Sequence, residues 1–274
     1  WDIGANPCRG AISYAAQLNS YNPIKDYLEW LAESDVEPFD LDHVASYLIG
    51  TNDPLYDAMI AATLIGAVAR IFEPGCKFDT CVVLKGMQGM RKSSFWQALA
   101  SPDWFCDTHQ DDEKDWILAV HRCWFFEEQE LEYTVGKVAA GKLKGRLSRS
   151  SDTCRYPYAT NIDDHPRQSI VVATVNDDQF LKDATGNRRF WVIDCPHNPK
   201  IGEVIDIDAV VQHRDAIWKA AVLAYRSGRL PLLSREQQNE SDARNGSYEL
   251  ENPFDAPLLR WFQKRRRMAE PKWF

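Results

Sequence analysis

Apolar residues alternate between two spacings along this chain. From Asn22 to Phe72 they recur as in helices: Ile24, Tyr27, Leu28 and Leu31 share one face after Asn22-Pro23, and Asp40 to Leu48 repeats the pattern. Pro54 to Phe72 stays rich in Ala, Leu and Ile until Glu73-Pro74-Gly75 stops it. Beyond residue 80, short β-branched or aromatic runs take over at Cys81-Val82-Val83-Leu84, Trp104-Phe105-Cys106, Cys123 to Phe126, Ser169 to Val175 and Phe190 to Ile193. The nearly continuous Ser169 to Val175 run predicts a strand buried on both faces. Helical spacing returns between them at Phe95, Trp96 and Leu99, and again at Trp116, Ile117 and Val120. Near the end, Asp215 to Tyr225 predicts a helix closing at Gly228, Leu230 to Asn252 reads as polar and loop-rich, and Ala256 to Phe262 predicts a last helix. The alternation predicts an α/β chain: a helical region over 1–78, a strand-and-helix core over 79–200 and a helical extension over 201–274.

The turn between the Cys81 run and the Phe95 segment carries chemistry. Gly86, Gln88, Gly89, Met90, Arg91, Lys92, Ser93 and Ser94 lie between a strand and a helix, the setting in which backbone N–H groups wrap phosphates and a lysine neutralises the terminal ones. Against the pattern G-x-x-x-x-G-K-[ST], Gly86 and Lys92-Ser93 are in register, but Arg91 occupies the second glycine's place. The alternative is a Gly-rich turn with no ligand.

Composition narrows the setting. With 274 residues, 45% of them hydrophobic, and ten tryptophans, the chain can bury a sizeable core. No run of about 18 apolar residues stands out, so no membrane span is expected. Residues 1–10 lack an initiator methionine and a signal-peptide pattern, which suits a piece of a longer protein. Seven cysteines (Cys8, Cys76, Cys81, Cys106, Cys123, Cys154 and Cys195) are scattered without a C-x-x-C pair, as expected for reduced thiols in a cytoplasmic protein without zinc. The net charge of −8 argues against binding nucleic acid over the whole surface. The charge is nevertheless blocked: Asp103 to Glu132 is acidic, and Lys137 to Arg155 is basic. These blocks are solvated faces or a magnesium site beside an anion-binding surface. Lys264 to Arg267 is a solvated end or a phosphate contact.

The apolar run at Cys123 ends in Glu127-Glu128, 35 residues after Lys92. A strand that delivers carboxylates at its end suits Mg²⁺ ligation and polarisation of an attacking water, or is simply a buried strand entering an acidic loop. Asn176, ending the Ser169 run, suits either a water-orienting amide or an Asx turn. Arg188 and Arg189 before Phe190 are surface charges or arginines that stabilise transition-state charge across a subunit interface.

Taken in order, GMQGMRKSSF, WFFEEQEL, SRSSDTCRYPY, PRQSIVVATVN and TGNRRFW resemble the virulence-associated E (VirE-like) family, related to superfamily 3 helicases and phage primase-helicases. The resemblance covers roughly residues 22–230. It implies an AAA+-like P-loop αβα sandwich that assembles into a ring, a hexamer, and moves along single-stranded DNA using ATP and Mg²⁺, with a primase fused or associated. It further implies that Lys92 contacts the β- and γ-phosphates, Ser93 and Glu127 serve the metal, Glu127-Glu128 fill the Walker B position, Asn176 is the sensor, and Arg188 and Arg189 are the motif arginines. Arg149 to Arg167, with Arg155, Tyr156, Tyr158 and His165, lies where superfamily 3 members carry a DNA-contacting hairpin. Arg91 departs from the family glycine, which keeps open a ring module that binds nucleotide or DNA without hydrolysis. A plain P-loop phosphotransferase would leave Asn176 and TGNRRFW unexplained.

Overall fold

The structure is a computed structural model describing residues 8, 10–12, 14–15, 21–110, 112–129, 131, 137–156, 162–181, 186–196, 204–250 and 260–262. Tyr158, Lys264 to Arg267 and most of Ala256 to Phe262 lie outside the described residues. Helix α1 (Pro23–Glu33) begins where Asn22 Oδ1 accepts the N–H groups of Ile24 and Lys25, with Pro23 in the first turn. A 3₁₀ turn (Leu41–His43) leads into α2 (Val44–Leu48), and α3 (Pro54–Phe72) follows, capped by Asp53. Then come β1 (Cys81–Lys85), α4 (Lys92–Ala100), β2 (Phe105–Cys106), α5 (Glu113–Val120) and β3 (Phe125–Glu128). Helix α6 (Lys137–Ser148) precedes a hairpin of β4 (Ser151–Cys154) and β5 (Asp163–Pro166). The chain continues through β6 (Ile170–Val175), β7 (Phe190–Asp194), α7 (Ile207–Arg226) and α8 (Arg235–Asn245).

Five strands form one parallel sheet in the order β2-β3-β6-β1-β7. Neighbouring residues on a strand point to opposite faces, so the sheet sorts its side chains into two cores. Val82, Leu84, Phe125, Val172 and Trp191 face α1, α3, α4 and α7, while Val83, Phe126, Ala173 and Val192 face α5 and α6. The first core joins residues from all three segments of the sequence, from Leu28 to Val222. Trp218 on α7 ties them: its indole N–H donates to Leu99 O at 2.8 Å, and its ring lies 4.1 Å from that of Trp124.

Four elements differ from the sequence expectation: α6 forms where only a basic block was read, α7 begins at Ile207 rather than Asp215, and α8 and α3 depart as follows. Leu230 to Asn252 is not loop-rich, because α8 runs through it; α8 buries only Ser241 and Asn245, so it has no apolar period to read. Its start is set by a capping box, Ser234 with Gln237. Helix α3 is long and apolar enough to cross a membrane, yet nearly all of it is buried inside the protein. It also carries Asp57, which accepts from the Ser46 N–H and Oγ–H, and Arg70, which donates to Phe78 O. It is the central helix of the first core.

Candidate functional site

The strand order brings the candidate residues together. β6 lies between β1 and β3, so the loop after β1, the end of β3 and the end of β6 meet at the C-terminal edge of the sheet. Lys92, the first residue of α4, is 7% exposed, and its Nζ donates to Gly86 O at 2.6 Å, Met87 O at 3.0 Å and Asn176 Oδ1 at 3.0 Å. Ser93 Oγ donates to Glu127 Oε1 at 2.7 Å, and Thr174 Oγ1 donates to the same oxygen at 2.6 Å. Gln88 through Ser94, with Gln129, Thr174 and Asn176, line an open cavity of about 360 Å³.

Glu127 is 1% exposed, and its other oxygen, Oε2, is buried without a hydrogen-bond partner. Burial raises its pKa, outweighing the hydrogen bonds from Thr174 and Ser93. A buried carboxylate oxygen with nothing to accept from fits a cation or a cation-bound water. Among the described residues no group of three or more His, Cys, Asp or Glu could hold a metal ion. The donor set is therefore one carboxylate and one hydroxyl. That suits Mg²⁺, which keeps waters and takes its remaining ligands from phosphates.

Glu128 is not part of this cluster. As the next residue on β3 it points to the opposite face, where Oε1 accepts from Trp116 Nε1 at 2.7 Å and lies 3.5 Å from Arg146. Burial raises its pKa as well, against Trp116 and Arg146. The catalytic position expected for Glu128 is corrected accordingly: it is a buried member of the second core. Thr174 is the site residue that sequence reading missed; its signal was the two-residue spacing to Asn176, which places both on one face.

Arg91 is the N-cap of α4 and takes the left-handed conformation, φ 63° and ψ 29°. This is a region that L side chains rarely adopt and that glycine enters without cost. The backbone thus takes the conformation a glycine would supply, and the side chain is exposed. Gly89 also has positive φ, 88°, so the loop bends through two left-handed residues before the helix.

Arg188 and Arg189 lie elsewhere. They end a 3₁₀ turn before β7, at the level of Cys81 on β1, and therefore at the opposite end of the sheet from Lys92. With Gly186, Asn187, Asp242, Asn245 and Glu249 they line a separate cavity of about 420 Å³. The length of β1, five residues or about 16 Å at 3.3 Å per residue, separates them from the loop of their own chain.

The expected hairpin is present as β4 and β5, but its cations are divided. Arg167 is 2% exposed, pairs with Asp152 through Nε and Nη2 at 2.8 Å, donates to Arg146 O and stacks on Trp116 at 5.1 Å. Its place on a nucleic-acid surface is corrected: it anchors the hairpin to α6. Arg149 pairs with Glu113 at 2.6 Å. Arg155 is exposed, and Tyr156 packs edge-on against His165 at 4.5 Å.

Residues 28–250 match the family described as the virulence-associated protein E-like domain. Among solved structures, three forms of the NrS-1 C-terminal region resemble the chain, with TM-scores of 0.53, 0.55 and 0.54 at 12%, 12% and 13% identity. They cover 82%, 83% and 90% of this chain, which spans 55% to 60% of theirs. No curated protein matches.

Proposed function

The chain belongs to the virulence-associated protein E-like domain family, and from this membership together with the site geometry we propose that it is an ATP-hydrolysing helicase or translocase module of a replication protein. In this reading the fold is an AAA+-like P-loop sandwich, cytoplasmic, that works as a hexameric ring on single-stranded DNA beside a fused or associated primase. The observation that carries it is the meeting of Lys92, Ser93, Glu127 and Asn176 at one sheet edge, with Glu127 Oε2 left unpartnered.

Each residue then has a task. Lys92, whose Nζ donates to Gly86 O and Met87 O at the mouth of the loop, exchanges those two bonds for β- and γ-phosphate oxygens of ATP. Ser93 and Glu127 would hold Mg²⁺, and Thr174 fixes the Glu127 carboxylate through its hydrogen bond to Oε1. Mg²⁺ held there would supply positive charge beside the phosphates and would favour the ionised form of Glu127. Asn176, aligned by Lys92, orients the attacking water. Arg188 and Arg189, remote from their own loop, act on the site of an adjacent subunit.

The test is ATP hydrolysis with and without single-stranded DNA in the wild type, Lys92→Ala, Glu127→Gln and Arg91→Gly. Hydrolysis stimulated by DNA and lost in Lys92→Ala and Glu127→Gln is the expected result. An inactive wild type with activity regained in Arg91→Gly would replace this proposal with the non-hydrolysing ring module. Arg91 argues against that outcome, because the loop backbone already follows the glycine path.

A further inference from the structure

A cavity of about 830 Å³ lies at the N-terminal edge of the sheet, away from Lys92. Its floor comes from residues that precede strands: Trp104 before β2, Arg122 before β3 and Ser169 before β6. One wall is the β4–β5 hairpin, through Tyr156 and His165, and the other is the start of α1.

Three features of this cleft point to one kind of ligand. Aromatic rings border it: Tyr21 is 80% exposed at the rim, and the Tyr156–His165 pair stands on the hairpin. Arg122 is exposed, and among the described residues no carboxylate pairs with its guanidinium, whereas Glu113 and Asp152 pair with other cations. Ser169 lines the cleft, is 2% exposed, and its Oγ has no hydrogen-bond partner. A cation without a counter-charge, flat rings and a buried unpartnered hydroxyl fit a molecule that is planar at one end, anionic at the other and polar between. Asp26 and Glu29 sit at the α1 side, and Lys25 lies 3.9 Å from Glu29, so the negative charge is confined to that wall.

We propose that this cleft binds a nucleotide unit, with the base against Tyr156 and Tyr21, the phosphate on Arg122 and a polar edge on Ser169. The unit is either part of a single strand or a free nucleotide. The inference rests on the reading of the chain as a nucleic-acid-dependent protein, but its test uses no ATP hydrolysis.

The experiment measures binding of fluorescein-labelled oligothymidylate and of thymidine monophosphate. All proteins carry Lys92→Ala, so that the loop site does not compete. Arg122→Gln is expected to weaken oligothymidylate binding about tenfold at low salt and to reduce the slope of log affinity against log salt by about 0.7, the value for one phosphate contact on a single strand. Tyr156→Leu is expected to cost about tenfold through lost stacking, and Arg122→Lys to recover part of the affinity and the slope. Loss confined to the oligonucleotide assigns the cleft to a strand; loss confined to the monophosphate assigns it to a free nucleotide. Both probes binding the variants as they bind the parent, with unchanged slope, overturns the proposal. Arg122 is exposed, so its variant keeps the fold and decides the question even if Tyr156→Leu unfolds. Failure of hydrolysis in the wild type would sink the ATPase reading without touching this result.

Discussion

Replacing Arg91 with glycine is expected to stabilise the protein, although it removes a side chain. At φ 63° the Cβ of Arg91 sits close to the following carbonyl, a conflict that costs about 1–2 kcal/mol for an L residue. Glycine removes this cost but gives the unfolded chain more freedom, worth about 0.5–1 kcal/mol in the opposite direction. The net gain is about 0.5–1 kcal/mol, which raises the Tm of a chain this size by about 2 °C. Because the side chain is exposed, little packing is lost with it. Scanning calorimetry of wild type, Arg91→Gly, Arg91→Asn and Arg91→Ala checks the reasoning. Alanine keeps the Cβ and gains nothing, and asparagine, which tolerates this region, falls between. A stabilised Arg91→Ala would refute the backbone explanation and point to charge. A glycine variant no more stable than the parent would refute the conformation itself.

Three further outcomes follow from the same geometry. Glu127 has its pKa raised by burial, so the folded protein holds that proton more tightly than the unfolded chain, and the group costs stability as pH rises from the ordinary carboxylate range through the raised value. Glu127→Gln should therefore melt higher than wild type at pH 8 in the absence of Mg²⁺, with a gap that closes towards pH 4; a gap independent of pH contradicts the assignment. Burial pushes Asp152 upward, but His121 and Arg167 outweigh it and hold it well below the usual carboxylate range, so its contribution is present above that range and is lost as pH falls. Arg167→Met, which leaves the buried Asp152 carboxylate with only His121 and a 3.5 Å contact to Arg149, should cost about 3 kcal/mol in urea unfolding at pH 7, and a loss under about 1 kcal/mol would show the pair to be dispensable. Gly66→Ala, inside α3, drives a methyl into the ring of Phe78 and should lower Tm by several degrees; an unchanged Tm means that ring moves freely.

The sequence was most legible where packing and local signals agree. Pro54–Phe72 and Glu113–Val120 have apolar periods bounded by Asp53-Pro54 and by Asp112, and the structure reproduces both spans. Ile170–Val175 was readable because a strand covered on both faces has no room for polar residues. Helix α8 was unreadable because its contacts are polar: Asn245 donates to Asn187 O and Phe190 O, and no spacing rule reports such bonds. The loop, Glu127 and Asn176 could be placed from order alone, but choosing between Glu127 and Glu128 needed the face that each presents, which is a matter of register. Arg167 looked like a surface cation because Asp152 and Trp116, which bury it, are 15 and 51 residues away in the chain.

Because every strand of the main sheet runs the same way, the molecule has a head and a tail. Lys92 is at the head, and Arg188 and Arg189 are at the tail. Two copies that join head to tail leave one head and one tail uncapped, and each added copy repeats the situation. On the proposal that Arg188 and Arg189 serve a neighbour's loop, an open row ends in a loop without arginines. On that proposal only a row that bends back on itself would complete every loop, and the rotation between neighbours would set how many copies it holds.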